Sequence, residues 1–115
     1  DGYSLRWRRH AAATQDVHHV QPILHEDKVW VVAGWRGAWP SERQIERVLV
    51  YEPRTQELRE GCAIPWQYQR GAAGVVKWSG NFYIAQGARD GHSRLHGASS
   101  FSGLTRFEPR SCSWS

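Results

Sequence analysis

Histidine, arginine and tryptophan side chains are concentrated in four polar segments of the chain, residues 8–19, 34–47, 61–71 and 87–103. Guanidinium groups form forked hydrogen bonds with carboxylates, and indole faces stack on sugars and cations. This chemistry predicts a pocket for an anionic or sugar-like ligand, with no catalytic residue among its members. The predicted ligand-binding residues are His18, His19, Trp35, Arg36, Trp39, Arg70, Arg89, Asp90, His92 and His96.

A metal centre is a weaker interpretation of the same histidines. His92 and His96 are four residues apart and Asp90 lies close by, so ligands suited to zinc, copper or iron are present. This spacing aligns two ligands only on a helix, however, and Gly91 and Gly97 indicate a loop. The Cys-x-x-Cys and His-Glu-x-x-His patterns are absent from the sequence. We therefore expect no metal and no cofactor.

The composition argues against nucleic acid and membrane as partners. Basic residues alternate with tryptophan at 6–9 and 35–39, as in stacking platforms for single strands, but acidic residues are scattered among them. A net charge of +4 over 115 residues is too small to indicate nucleic acid by itself. No apolar run has the length of a membrane-spanning helix.

The elements that must position these polar segments come from a repeat, because residues 19–60 and 72–115 are two copies of one unit. The first half of the unit aligns without gaps, 19–34 on 72–87, and the second half aligns 48–59 on 104–115. A unit that cannot bury its own apolar face must stack on its neighbours. The repeat therefore predicts architecture more firmly than activity.

Each unit reads as four antiparallel strands. Two apolar runs are separated by a two-residue turn, Glu26-Asp27 or Ser79-Gly80, which is typical of a tight hairpin. A glycine ends the second run, and Glu-Pro turns separate the third strand from the fourth. Tyr51 and Leu58, like Phe107 and Trp114, are spaced to meet across that last hairpin. We predict an all-β fold of four-stranded antiparallel meanders, in which Pro22 indicates either a bulge in the first strand or a strand start delayed to Ile23.

Two cysteines, Cys62 and Cys112, are too few for a disulfide framework. Cys112 lies at the start of one predicted outer strand, and Cys62 lies just past the other copy of that strand. We predict that both are unpaired thiols.

These residues resemble the kelch repeat, whose unit has an apolar hairpin ending in glycines, a variable loop, a Tyr-Asp-Pro-x-Thr segment and a tryptophan. Tyr51-Glu52-Pro53-Arg54-Thr55 carries the middle of that motif, and the second copy runs from Phe107-Glu108-Pro109 to Trp114. Ile64-Pro65 and Arg70-Gly71 match the opening of a unit. The sequence departs from the pattern at Ala33, Gln86 and Leu58, where the family has glycine, glycine and tryptophan.

The resemblance implies blades of a β-propeller of about five to seven blades, so the chain is expected to be an incomplete segment of a longer propeller. The absence of methionine and the start at Asp1 agree with that expectation. Tyr3 to Trp7 is expected to be the last strand of a preceding blade. The expected parts are residues 1–18, the end of that blade and a connecting loop; 19–60, a complete blade; 61–71, an inter-blade loop; and 72–115, a second blade truncated in its last strand.

In such a meander the four polar segments lie at one end of the sheets, and only short turns lie at the other. The sequence therefore predicts a non-catalytic binding module that takes a protein or carbohydrate partner through this loop face. The alternative is part of a propeller enzyme acting on a sugar, because kelch-type propellers include a copper radical oxidase and a sialic-acid epimerase. Acid–base chemistry of that kind would depend on His19 with Arg70 or Asp90 at the mouth of the central channel.

Overall fold

The computed structural model describes residues 3–10, 16–91 and 99–115, and these residues are folded almost entirely as short β-strands. The strands in chain order are β1 (Val17–His18), β2 (Ile23–His25), β3 (Lys28–Val31), β4 (Trp35–Arg36), β5 (Arg43–Gln44), β6 (Arg47–Glu52), β7 (Glu57–Ala63), β8 (Gly74–Trp78), β9 (Asn81–Ala85), β10 (Ala88–Arg89), β11 (Ser99–Ser100), β12 (Leu104–Glu108) and β13 (Ser113–Trp114). A single 3-10 turn at Trp66–Tyr68 is the only helical element in these ranges. Within them, no helix is long and apolar enough to cross a membrane.

Two four-stranded antiparallel sheets form the body of the protein. Strands β2, β3, β6 and β7 pair in that order to form meander 1, and β8, β9, β12 and β13 pair in that order to form meander 2. The predicted all-β, antiparallel class is therefore confirmed. The connection between β3 and β6 contains β4 and β5, which form a small sheet with β1 in the order β1-β4-β5, and the connection between β9 and β12 contains the pair β10-β11.

The hairpins follow from local turn chemistry. Both residues of each two-residue turn have positive φ, 50° and 61° at Glu26-Asp27 and 51° and 79° at Ser79-Gly80, the geometry that matches the twist of paired strands. Strand β2 starts at Ile23, directly after Pro22, which agrees with the second of the two alternatives for this proline. In the last hairpins, Tyr51 is opposite Leu58 and Phe107 is opposite Trp114, also as predicted. The Phe107 and Trp114 ring centroids are 4.4 Å apart.

The glycines at the end of the second run of each unit, Gly34 and Gly87, lie in close-packed positions of two different kinds. Gly87 has a φ of +92°, and a Cβ there would lie 2.6 Å from the carbonyl oxygen of Gly71. Gly34 has no positive φ, but a Cβ there would lie 2.6 Å from Val20 Cγ1. Gly87 thus requires the positive φ and the close backbone approach that glycine allows, whereas a side chain at Gly34 would require Val20 to move.

The hydrophobic core lies between the two meanders, which stack face to face as in a small sandwich. Aliphatic side chains from one face of meander 1 pack against aromatic and aliphatic side chains from one face of meander 2. Trp30 of meander 1 packs against meander 2, with its ring centroid 5.7 Å from that of Phe82 and 6.3 Å from that of Phe107. The fully buried residues of this core include Val32, Val48, Val50, Val75, Phe82, Ile84 and Phe107.

Specific links join the meanders at both edges. At the first strands, the Val75 amide donates to Gln21 Oε1 at 3.0 Å, and Lys77 Nζ donates to the Leu24 carbonyl at 3.1 Å. At the outer edge, Cys62 and Cys112 form a disulfide with their Cα atoms 6.3 Å apart. The prediction of two unpaired thiols is therefore wrong. Alignment of the copies compares positions within a unit, whereas this bond depends on how one unit stacks on the next.

Residues 3–10, which are expected to end a preceding blade, lie outside both meanders, and that expectation stays a prediction. They form no strand, and Tyr3, Leu5 and Trp7 are almost fully exposed. A strand needs a neighbour for its backbone hydrogen bonds, and no described strand pairs with this segment. The strand expected over Tyr3 to Trp7 is therefore not formed.

Candidate functional site

The predicted site lies at one end of the two meanders, which we call the loop rim: residues 16–22, 34–46, 64–73 and 86–91 with 99–103. Backbone hydrogen bonds tie these connections together. The Gly34 amide donates to the Arg70 carbonyl at 2.9 Å, the Ala72 amide donates to the His19 carbonyl at 3.0 Å, and Gly71 and Ala88 exchange hydrogen bonds at 3.0 Å. The described parts of the last three polar segments, together with residues 16–19 of the first, thus meet at a common rim. His10 of the first segment lies elsewhere, with its ring centroid 6.5 Å from that of Tyr51.

His18 and His19 form one part of the rim. Their Nδ1 atoms are 2.6 Å apart, and His18 Nε2 lies 2.8 Å from the Gly37 carbonyl oxygen. Because a carbonyl only accepts, His18 Nε2 is the donor to Gly37, and one of the two Nδ1 atoms donates to the other. The two imidazoles are therefore oriented as a pair, with His18 half-buried and His19 exposed.

Trp35 is buried under the loop rim, so a ligand cannot stack on its indole ring. Its side chain is 4% exposed, and its indole Nε1 donates to the Ala88 carbonyl at 3.0 Å. The ring centroid of His19 lies 4.5 Å from that of the indole. A Cβ at Gly71 would collide with this indole. Trp35 thus joins the connections of the two meanders, with an imidazole against its ring.

Arg36 and Trp39 lie farther out on the same connection. Arg36 Nη2 donates to Glu46 Oε1 at 3.3 Å, and the two side chains are 39% and 67% exposed. A surface ion pair of this kind contributes about 0–1 kcal/mol. Trp39 is 60% exposed. Of these two residues, Trp39 offers the larger apolar surface to a partner.

The resemblance implied that Arg70 lies at the open mouth of a channel, but the residue is buried in this structure. Its side chain is 1% exposed. Nη1 donates to Thr105 Oγ1 at 2.9 Å, Nη2 donates to the Ile84 carbonyl at 2.5 Å, and the guanidinium lies 4.6 Å from the Phe101 ring centroid. Desolvation, and secondarily the charge of Arg89, lowers the pKa of this guanidinium. Arg70 therefore links β9 and β12 inside the protein, where a ligand at the rim does not reach it.

Arg89 is held between two aromatic rings, with Cζ 4.5 Å from the Trp66 ring centroid and 4.9 Å from that of Phe101. Nη2 donates to the Trp66 carbonyl at 3.1 Å, and Nε donates to the Gln69 carbonyl at 3.3 Å. The Trp66 side chain nevertheless remains 57% exposed. Trp66 is not among the predicted site residues. The signal that could have identified it is its position in one of the four polar segments of the sequence.

Asp90 is engaged by the neighbouring connection. Its carboxylate accepts from Arg43 Nη1 at 3.1 Å, and its amide donates to Gln44 Oε1 at 3.1 Å. The Asp90 side chain is 14% exposed. The sequence prediction did not include Arg43 and Gln44. The predicted residues His92 and His96 lie outside the described residues.

In these contacts, rim side chains bond to one another or to backbone carbonyls of the rim, and two indoles, Trp39 and Trp66, are exposed. A groove of about 500 Å³ adjoins the rim. The charged residues that line the groove are Arg36, Glu46, Arg47 and Glu60, so their formal charges balance. Across residues 3–10, 16–91 and 99–115, no three His, Cys, Asp or Glu side chains converge as a metal site would require.

Comparison with known proteins gave no match, either to a family model or to a curated protein. The resemblance to kelch repeats therefore rests on the residues quoted above and remains a hypothesis.

Proposed function

We propose that this chain is part of a kelch-like propeller and acts as a non-catalytic binding module for a carbohydrate or protein partner. The observation that carries the proposal is the pair of exposed indoles on the loop rim, Trp39 at 60% and Trp66 at 57%. Pre-organised aromatic side chains bind a partner with little loss of conformational entropy.

A binding role fits these contacts better than the alternative of a sugar-modifying enzyme. Acid–base catalysis needs a carboxylate or imidazole within reach of the reacting group. In the described part of the rim, the Asp90 carboxylate is paired with Arg43, and Arg70 is buried. His19 remains exposed, but its imidazole lies against Trp35 and His18.

A carbohydrate is the partner to test first, because Trp66 combines an exposed indole face with an adjacent guanidinium. Indole faces stack on sugar rings, and the guanidinium of Arg89 adds charge-assisted donors for an acidic sugar. Arg89 is already oriented by two backbone carbonyls and two aromatic rings. A protein partner would use the same two indoles as anchors.

Saturation-transfer NMR with a panel of neutral and acidic sugars tests this proposal. We expect Trp66→Ala to weaken binding of the sugars that bind the wild-type chain by about tenfold. Trp78→Ala is the matched control, because Trp78 is 71% exposed but lies on meander 2 away from the loop rim. Equal losses in the two variants, or no binding by any sugar, would contradict a carbohydrate site at this rim.

A second argument supports the propeller itself. In the repeat, Ile23, Trp30 and Val48 of meander 1 correspond to Val76, Tyr83 and Leu104 of meander 2. Meander 2 covers the first set, and Val48 is fully buried. On the corresponding face of meander 2, Val76 is 60% exposed and Leu104 is 66% exposed. This face also carries the exposed Arg106, where meander 1 has the buried Val50. Its apolar part, at Val76, Tyr83 and Leu104, favours stacking.

The occupant we propose for this face is another four-stranded meander. The covered face of meander 1 shows which surface fits there, because it packs against Val75, Phe82, Ile84 and Phe107. A following blade would present the equivalent set of side chains to Val76 and Leu104. The remaining blades of a longer propeller are therefore the proposed partners at this face.

A further inference from the structure

A second groove opens between the meanders at the end opposite the loop rim. Three short turns meet there, Glu26-Asp27, Ser79-Gly80 and 108–111, and we call this end the turn rim. The groove has a volume of about 510 Å³. The residues that line it and bear on its chemistry are Glu26, Lys28, Trp30, Arg59, Pro109 and Arg110.

The cations of this groove outnumber its anions. Lys28 Nζ lies 3.7 Å from Glu52 Oε2, and Glu26 is an exposed carboxylate 3.8 Å from His25 Nε2. The guanidinium groups of Arg59 and Arg110 make no hydrogen bond or ion pair with any residue that the structure describes. The groove thus holds two arginines whose charges no carboxylate of these ranges neutralises.

The disulfide holds the two arginines on the same groove. Arg59 lies in β7, three residues before Cys62, and Arg110 lies two residues before Cys112. The covalent bond therefore fixes the two segments that carry these charges. Like charges confined to one groove repel each other, and an anion between them removes that cost.

We propose that the groove binds a phosphate or sulfate monoester. Such a molecule carries a dianionic or monoanionic head group on an organic body. Two guanidinium forks suit the oxygens of such a head group. The volume of this groove lies within the range of pockets that bind small organic molecules. Such molecules are larger than a free oxyanion. Trp30 and Pro109 supply apolar wall for the organic part. This site does not depend on ligand binding at the loop rim.

Titration of the full chain with phenyl phosphate, followed by NMR of the arginine and indole N–H signals, tests the proposal. We expect phenyl phosphate to shift the signals of Arg59, Arg110 and Trp30. Arg59→Gln and Arg110→Gln should each weaken binding by about tenfold, because each removes a charge-assisted contact. Both side chains are exposed, so the variants should keep the wild-type circular dichroism spectrum.

Arg54→Gln is the matched control. Arg54 occupies the repeat position of Arg110 in the Glu-Pro-Arg turn of meander 1, pairs with Asp27 at 3.5 Å, and does not line the groove. We expect this variant to bind phenyl phosphate as the wild-type chain does. An equal loss of phenyl phosphate binding in Arg54→Gln would show that the lower net charge alone explains the loss, and it would overturn the proposal. Equal affinity for inorganic phosphate and phenyl phosphate would overturn the claim that the groove takes an ester.

Discussion

The same sheet face is core in meander 1 and surface in meander 2. Val48 on the first is fully buried, whereas Leu104, its counterpart on the second, is 66% exposed. The two residues are both aliphatic and occupy the same strand of the repeat. The burial of these two aliphatic residues therefore differs because a neighbouring sheet covers the face of meander 1 and no described sheet covers the face of meander 2.

The largest expected effect comes from placing a charge at each of these two positions. Val48→Asp should lower the free energy of unfolding by about 4 kcal/mol or more, because an unpaired carboxylate would be buried between the meanders. Leu104→Asp should change it by less than about 0.5 kcal/mol, as expected for an exposed position. Urea denaturation followed by circular dichroism measures both values.

If Leu104→Asp destabilises the chain as strongly as Val48→Asp, the face of meander 2 is covered in solution. The equivalent faces of the two meanders would then both be covered, and the two positions would not differ in burial.

The links at the two edges of the stacked sheets provide the next comparison. Cys112→Ser should lower the free energy of unfolding by about 3 kcal/mol, because the disulfide joins residues separated by 50 positions and restricts the unfolded chain. Gln21→Ala removes the side-chain acceptor of the Val75 amide and should cost about 1 kcal/mol. The two variants are compared by urea denaturation, each under non-reducing conditions.

A smaller effect for Cys112→Ser than for Gln21→Ala would show that the first strands, and not the outer edge, hold the sheets together. The addition of a reductant to the wild-type chain is the control, since it should reproduce the Cys112→Ser value.

These contrasts also show what sequence patterns predict. The hairpin turns and the pairing of Phe107 with Trp114 are local, so turn chemistry and residue spacing were sufficient to predict them. The disulfide and the burial of Arg70 depend on how the units stack and how their connections meet.

The same reason applies to the two candidate sites. The loop rim was predicted because polar residues cluster in four segments of the sequence. The groove at the turn rim combines Arg59 with Arg110, which lie in different units, and no pattern within one unit brings them together.

The smallest expected change in stability comes from Trp78, which lies on the exposed face of meander 2. Trp78→Glu should leave the free energy of unfolding within about 0.5 kcal/mol of the wild-type value. If this face stacks on other sheets, the wild-type chain should self-associate as its concentration rises, and Trp78→Glu should reduce that association because it places a charge in the contact. Light scattering after size exclusion measures the mass of each variant over a range of concentrations.

Trp39→Glu is the control for this last experiment, because Trp39 is exposed to a similar degree but lies on the loop rim. It should leave self-association unchanged if the sheet face is the contact. Equal reductions in the two variants would mean that any exposed indole promotes association, and the sheet face would have no special role. A loss restricted to Trp78→Glu would support stacking on meander 2, because only that variant alters the face equivalent to the buried one of meander 1.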